Sequence, residues 1–309
     1  MMSSPGSSRS FQATPTIIDE RPAVRSMSAH DPVLDAVGRR GALSYVFERQ
    51  GPRTVLTQSS CSSPWHYFPP SFLDDSGCAY TWLVNPSGGL VGGDHVTVAA
   101  RLEADTHVLM TSPSATRVYR SEGEPAVQEI RVTAGAGARL EWLPEVTIPF
   151  AGSRFRQSIH VELAPGATVV LWDAMASGRV ARAERWAFAS YENEIVIRMA
   201  SGRSVVERLS VTPDSVGGLV KSWDYVGSLF VIGDAVGPER LAALEDELVE
   251  LCGQQPEQLL GGVSKPAVPG LVVKVVARSA PALTAFVEAA WSHLRLILWD
   301  LPAPLLRRY

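Results

Sequence analysis

The sequence predicts a mainly β fold: a layered, β-helix-like stack of strand–turn–strand repeats with two C-terminal α-helices. Three observations carry that expectation. Apolar and polar residues alternate in paired runs through the middle of the chain. The pairs recur at a nearly constant step. Helical periodicity is confined to the region after residue 237.

Taken in order, residues 1–40 are rich in Ser, Pro and Ala without periodicity, which predicts a flexible N-terminal extension. Residues 41–309 read as one β domain that includes the helices. In its first strand Leu43, Tyr45 and Phe47 alternate with Ser44, Val46 and Glu48. A turn at Gly51-Pro52 leads to the strand TVLTQSS and then to a Pro-rich connection. Next comes the repeat. HVTVAARL, QEIRVTA, SIHVELA and NEIVIRMA each enter a tight turn and leave as HVLMTS, RLEWLP, TVVLWD and SVVERLSV. Aligning Asp105, Gly137, Gly166 and Gly202 gives steps of 32, 29 and 36 residues, which suits stacked coils or layered hairpins. No helical pattern separates these strands, so βαβ crossovers and a doubly wound sheet are disfavoured. Two helices follow, over about 238–252 and 280–299. Pro238 opens the first, with Leu241, Leu244, Leu248 and Leu251 on one face and Gly253 as its stop. Ser279 caps the second, whose stripe is Leu283, Phe286, Val287, Ala290, Trp291, Leu294 and Leu298.

Composition excludes several classes. The 309 residues are 46% hydrophobic, enough for a sizeable core, and carry a net charge of −4, which argues against a nucleic-acid binder. The cations are 25 Arg and only 3 Lys: Lys221, Lys265 and Lys274. Three cysteines (Cys61, Cys78, Cys252) form neither a CxxC pair nor an even framework, so a disulfide scaffold and a structural zinc site are disfavoured. No run reaches the roughly 18 apolar residues of a membrane helix, and the N-terminus lacks a secretory h-region. A cytoplasmic protein is expected.

Motifs for nucleotide binding, zinc proteolysis and serine hydrolysis are missing. His95, His107 and His160 lie on repeat strands, where stacking could bring two together as metal ligands. NPSGGLVGGD concentrates four glycines around Leu90-Val91. It reads either as a glycine turn closed by Asp94 or as a backbone contact surface with a carboxylate at its lip. Glu141 lies between Leu140 and Trp142, and Glu145 follows Pro144. Such carboxylates could serve acid–base chemistry, exchange a divalent cation through oxygen ligands, or pair with arginines.

Four blocks in order, NPSGGLVGGD (85–94), TSPSATRVYRS (111–121), LEWLPEVTIPFAGSRFRQ (140–157) and GRVARAERWAF (178–188), together with the late LVVKVVARSAPALTAFVEAAWSHLR, resemble the urease accessory protein D family. The resemblance implies a non-enzymatic, helix-poor β protein. It implies binding to urease accessory proteins F and G (protein G being a GTPase) and to the urease apoenzyme. Nickel would pass through the interior during GTP-dependent maturation, so no permanent cofactor is expected, only transient Ni2+. Asp94 and Glu184 match acidic positions of the family's motifs and become the expected nickel path, with Glu141 and His95 added to them. Tyr119, Arg117, Arg120, Arg154 and Arg156 are assigned to structural pairing or to a partner surface. The N-terminal extension and the Cys61/Cys78 pair depart from the family layout. Two other readings stand beside this one. The first is a cytosolic β-solenoid carbohydrate-active enzyme using Asp94, Glu141 and Glu145. The second is an interaction solenoid without metal.

Overall fold

Four turns with left-handed residues organise the molecule. In the computed structural model, which describes residues 39–217 and 221–306, the positions that align the repeat all have positive φ. The angles are 57° at Asp105, 66° at Gly137, 75° at Gly166 and 80° at Gly202. That region costs most L-residues ~1–2 kcal/mol, so glycine, or a short polar residue such as Asp, is selected there. The turns stack on one another: Asp105 N donates to Ala136 O at 2.9 Å and Gly137 N to Pro165 O at 3.1 Å.

Sheet 1 starts with the hairpin of β1 (Arg40–Gln50) and β2 (Arg53–Cys61), paired antiparallel. A connection containing the short β3 (Ala79–Trp82) then leads to the repeats. Their first strands are β4 (His95–Leu102), β7 (Ala126–Ala134), β10 (Arg154–Leu163) and β12 (Ser190–Arg198). They lie parallel beside β1 in sheet 1. The second strands β5 (His107–Thr111), β8 (Arg139–Leu143) and β11 (Thr168–Ala176) lie parallel in sheet 2. The first three units are therefore coils that step from one sheet to the other. Two short strands, β6 (Thr116–Val118) and β9 (Thr147–Pro149), pair in the connections of the coils.

The fourth unit differs. β13 (Ser204–Val211) turns back antiparallel on β12 and ends sheet 1 as a hairpin. The reason is legible in the side chains. HVLMT and TVVLWDAMA are buried at every position, as strands covered on both faces must be. SVVERLSV alternates exposed with half-buried residues and can cover one face only.

Sheet 2 is completed by β14 (Tyr225–Gly233), β15 (Leu259–Ser264) and β16 (Gly270–Ala277), antiparallel beside β11. Its outer face carries α1 (Pro238–Gly253) and α2 (Ala280–Trp299). All seven stripe residues predicted for α2 are buried, and the Ser279 side chain accepts from Ala282 N at 3.3 Å as its cap. In α1 the buried face is Leu244, Leu248 and Cys252, with Leu241 and Leu251 packed at its margin. Arg40 already belongs to β1, while residues 1–38, and with them the expected extension, lie outside the described residues. No helix among the described residues is long and apolar enough to cross a membrane.

Candidate metal path between the sheets

The space between the sheets is not one apolar core. Leu171, Ile130, Ile159, Ile195 and Phe230 belong to one hydrophobic cluster, and Met175, Ala126, Phe155 and Tyr191 to a second. Between the two lies a row of polar side chains: Gln128, Gln157, Asn193 and Glu207 from sheet 1, and Asp173, Ser228 and Lys274 from sheet 2. Strand alternation explains the row. Each of these residues occupies an inward position one step from an apolar neighbour on the same strand. The register then aligns Gln128, Gln157 and Asn193 across sheet 1, and Asp173, Ser228 and Lys274 across sheet 2.

Asp173 is the centre of this layer and is 8% exposed. Gln157 Nε2 donates to its Oδ1 and Asn193 Nδ2 to its Oδ2, both at 2.8 Å. Gln128 Nε2 donates in turn to Gln157 Oε1 at 3.0 Å. Burial pushes the Asp173 carboxyl above the ordinary range, against the pull of those two amides and of Lys274. At one side the layer opens into a cavity of about 90 Å³, whose lining includes Gly88, Gly89, Thr116, Gln128, Glu145, Gln157 and Asp173. At the other side Ser228 Oγ donates to Glu207 Oε1 at 2.9 Å. Lys274 Nζ donates to Ser228 Oγ at 2.8 Å and is ion-paired with Glu207. Burial pushes the Lys274 ammonium down to about 8, with the Asp173 charge opposing. The arrangement is a row of hard oxygen donors flanked by apolar clusters on either side. Such donors hold divalent cations exchangeably.

The sequence-predicted residues lie elsewhere. Asp94 closes the glycine-rich loop, its Oδ2 accepting from Val91 N at 2.8 Å; burial raises its carboxyl, against that amide and Arg39. The glycines of this loop are close-approach positions. A Cβ on Gly89 would stand 2.5 Å from Arg117 O, and one on Gly92 would stand 2.0 Å from Ser121 Oγ. Glu184 is held by Arg179, whose Nε is 3.1 Å from both carboxylate oxygens and whose Nη2 also pairs with it. It accepts from Ala151 N at 2.7 Å as well. The Arg179 hydrogen bonds keep the Glu184 carboxyl below its usual range, with burial opposing. Tyr119 serves structural pairing, donating to Gly88 O at 3.1 Å, and Arg156 pairs with Glu192 at 3.0 Å.

The three strand histidines stay apart. His95 and His160 are on the outer face of sheet 1, paired with Glu129 at 3.1 Å and Glu194 at 3.5 Å. Their register differs, since His95 aligns with Val127 while His160 aligns with Arg131. His107 lies beneath the helices with Glu141, which is fully buried. Glu141 Oε1 is 2.6 Å from His107 Nε2 and 3.2 Å from Arg295 Nη1, and Trp291 Nε1 donates to Oε2. Cys78, His107 and Glu141 converge closely enough to hold a metal ion. Arg295 places a fixed positive charge on the same carboxylate, and the cluster reads as the anchor of α2. Glu141 and Glu145 are therefore on opposite sides of sheet 2, one under the helices and one at the inter-sheet cavity. The three cysteines are free, Cys61 exposed and the other two buried.

Asp173, Glu207 and Lys274 escaped the reading of the sequence, although a signal was present. Each is a charged residue inside a strand whose inward positions are otherwise apolar: TVVLWDAMA, SVVERLSV and GLVVKVVA.

Comparison with known proteins bears directly on this architecture. The model of the family described as UreD urease accessory protein matches residues 39–309, which spans both sheets and both helices. Urease accessory protein UreD 2 of Streptomyces griseus is 34% identical over 279 residues, covering 87% of this chain and 93% of the relative. Urease accessory protein UreD of Deinococcus radiodurans is 38% identical over 208 residues, covering 65% and 74%. The protein of the same name from Haloarcula marismortui is 30% identical over 279 residues, covering 88% and 91%. With the match running from the first strand to the end of the chain, this protein belongs to the UreD urease accessory protein family.

Proposed function

We propose that this protein is a non-enzymatic maturation factor that binds apo-urease together with accessory proteins F and G. We further propose that it passes nickel to the urease active site through the polar layer between its sheets. The observation that carries the reading is Asp173, a carboxylate at the centre of an interior that is apolar on both sides. An acid is costly there unless hydrogen-bonded or paired with a cation, and the layer supplies donors on one side and oxygen ligands along its length. Side-chain oxygens spaced along a passage favour entry and release over retention, as a conduit requires. Nickel is cargo in this reading and has no permanent site.

Family membership supports an accessory role, and the scatter of the remaining carboxylates speaks for it over glycoside chemistry. Glu141 and Glu145 face different compartments, and Asp94 is engaged by its own loop. A cytoplasmic location follows from the reading, because the apo-urease partner must be reached before its metal is in place.

The test is co-expression of the host's urease subunits with proteins F and G, with and without this chain. Urease activity and nickel per active site are measured together. Loss of both without the chain is the expected result. Normal maturation in its absence would end the reading.

A further inference from the structure

The inner polar layer ends on a lysine. Lys274 interrupts an apolar strand and sits in register with Ser228. Its ammonium pairs with Glu207 and donates to Ser228 Oγ at 2.8 Å, while Ser228 Oγ donates to Glu207 Oε1 at 2.9 Å. The three groups thus close on one another. The Phe230 ring lies 5.6 Å from the ammonium, and the charge of Asp173 acts on it from deeper in the layer. Exposure falls inward along the cluster: the Lys274 side chain is 51% exposed and that of Glu207 15%, while Asp173 is buried. The lysine is the outermost member.

A cation is therefore already seated on the oxygens at this end, and it is one that cannot be carried away. An ammonium on a flexible four-carbon stem neutralises the carboxylates in place and can swing into solvent without leaving the protein. We propose that Lys274 is a tethered gate: in the metal-free chain its ammonium occupies the Glu207–Ser228 end of the polar layer, and a divalent cation passes that end only by displacing it. The proposal rests on the reading that the layer carries nickel, and it makes Lys274 a positioning residue, not a ligand. The gate weakens binding at the mouth and speeds release, because the returning ammonium competes for the same oxygens.

The experiment uses the full chain and Ni2+ alone. Equilibrium dialysis gives affinity, and stopped-flow transfer to a chelator gives the release rate. Lys274→Met, which keeps an unbranched stem without charge, is expected to bind Ni2+ about tenfold more tightly and release it more slowly, since the competing unit charge a few ångströms away is gone. Lys274→Arg keeps the charge in a form that forks onto a carboxylate, and is expected to show no gain in affinity. Lys274→Gln repeats the test if the Met variant does not fold. Glu207→Gln and Asp173→Asn separate the two claims. If these carboxylate variants lose Ni2+ while the uncharged Lys274 variants bind and release it as the parent does, the gate is wrong and the path stands. If the carboxylate variants bind Ni2+ as the parent does, the path itself is wrong, and the gate with it.

Discussion

At the scale of single residues, a buried charge network ties α2 to sheet 2. Arg295 is completely buried on a helix face that otherwise reads as apolar. Its guanidinium donates to Tyr80 Oη at 2.7 Å, Asp74 Oδ2 at 2.8 Å and Glu141 Oε1 at 3.2 Å. Removing one member of a buried ion pair leaves the other charge stranded, at ~3–5 kcal/mol. Arg295→Met is therefore expected to lower the unfolding free energy by about that amount in urea titration. Adding Glu141→Gln should recover part of the loss, and simple additivity would deny the coupling. Asp74 gives the pH dependence. Burial raises its carboxyl, but hydrogen bonds from Ser76 and Tyr80, with Arg295, outweigh that and hold it below the ordinary value. A depressed carboxyl contributes stability above its unfolded pKa and loses it as pH falls through the folded pKa. Asp74→Asn should flatten the decline of stability below about pH 4, the ordinary carboxylate range. An unchanged acid limb would show that Asp74 is not held by this network.

At the scale of elements, the repeat was legible because turn chemistry and strand pattern point the same way. Asp105, Gly137, Gly166 and Gly202 could be aligned by eye, and all four adopt the conformation that explains their identity. Where the fold exceeded the pattern, packing decided. The same strand–turn–strand unit makes a coil when its second strand is apolar on both faces and a hairpin when it alternates. The helix stripes were equally readable, but Arg295 was not, because a buried arginine is identified by partners more than 150 positions away in sequence. The polar layer was hidden for a related reason: Gln157, Asn193 and Asp173 look like ordinary polar interruptions until the register aligns the first two and the facing sheet sets Asp173 against them. A Cβ at Gly202 meets nothing within 4 Å, so Gly202→Ala isolates the backbone term. It should cost ~1–2 kcal/mol in chemical denaturation, with Gly202→Asn costing less. A loss far above that range would mean the turn makes contacts beyond its own backbone. Truncation before Ser279 uncovers the face of sheet 2 that carries Leu271, Val273 and Val275. That contiguous apolar surface should send the protein to the insoluble fraction or make it bind a hydrophobic dye; a soluble, dye-negative truncation would contradict the packing of α2 on sheet 2.

At the scale of the whole molecule, the two sets of carboxylates make opposite predictions about what an accessory protein loses when they change. Asp94 is satisfied within its own loop through Val91 N, and Glu184 by Arg179 of its loop together with Ala151 N of the neighbouring turn. The family resemblance makes them path residues, yet their geometry makes them staples for the loops at 85–94 and 178–188. Asp94→Ala and Glu184→Ala will separate these roles: a path role keeps assembly with the urease partners and lowers nickel, whereas a staple role lowers stability and assembly together. Asp173 and Glu207 lie in the proposed path, and their substitution by amides preserves size and keeps one acceptor oxygen on each side chain, at the loss of one of the two amide hydrogen bonds to Asp173 and of the Glu207–Lys274 ion pair. Asp173→Asn and Glu207→Gln are therefore expected to fold and to enter the urease assembly normally. Their effect should appear as nickel per active site, reduced about tenfold for a lost oxygen ligand worth ~1.4 kcal/mol. Assembly is followed by co-purification and nickel by elemental analysis of the matured urease, so the two readouts are independent. Full nickel loading with both substitutions in place would mean that the charged layer serves the fold alone. The metal would then have to reach urease by a route that avoids the space between the sheets.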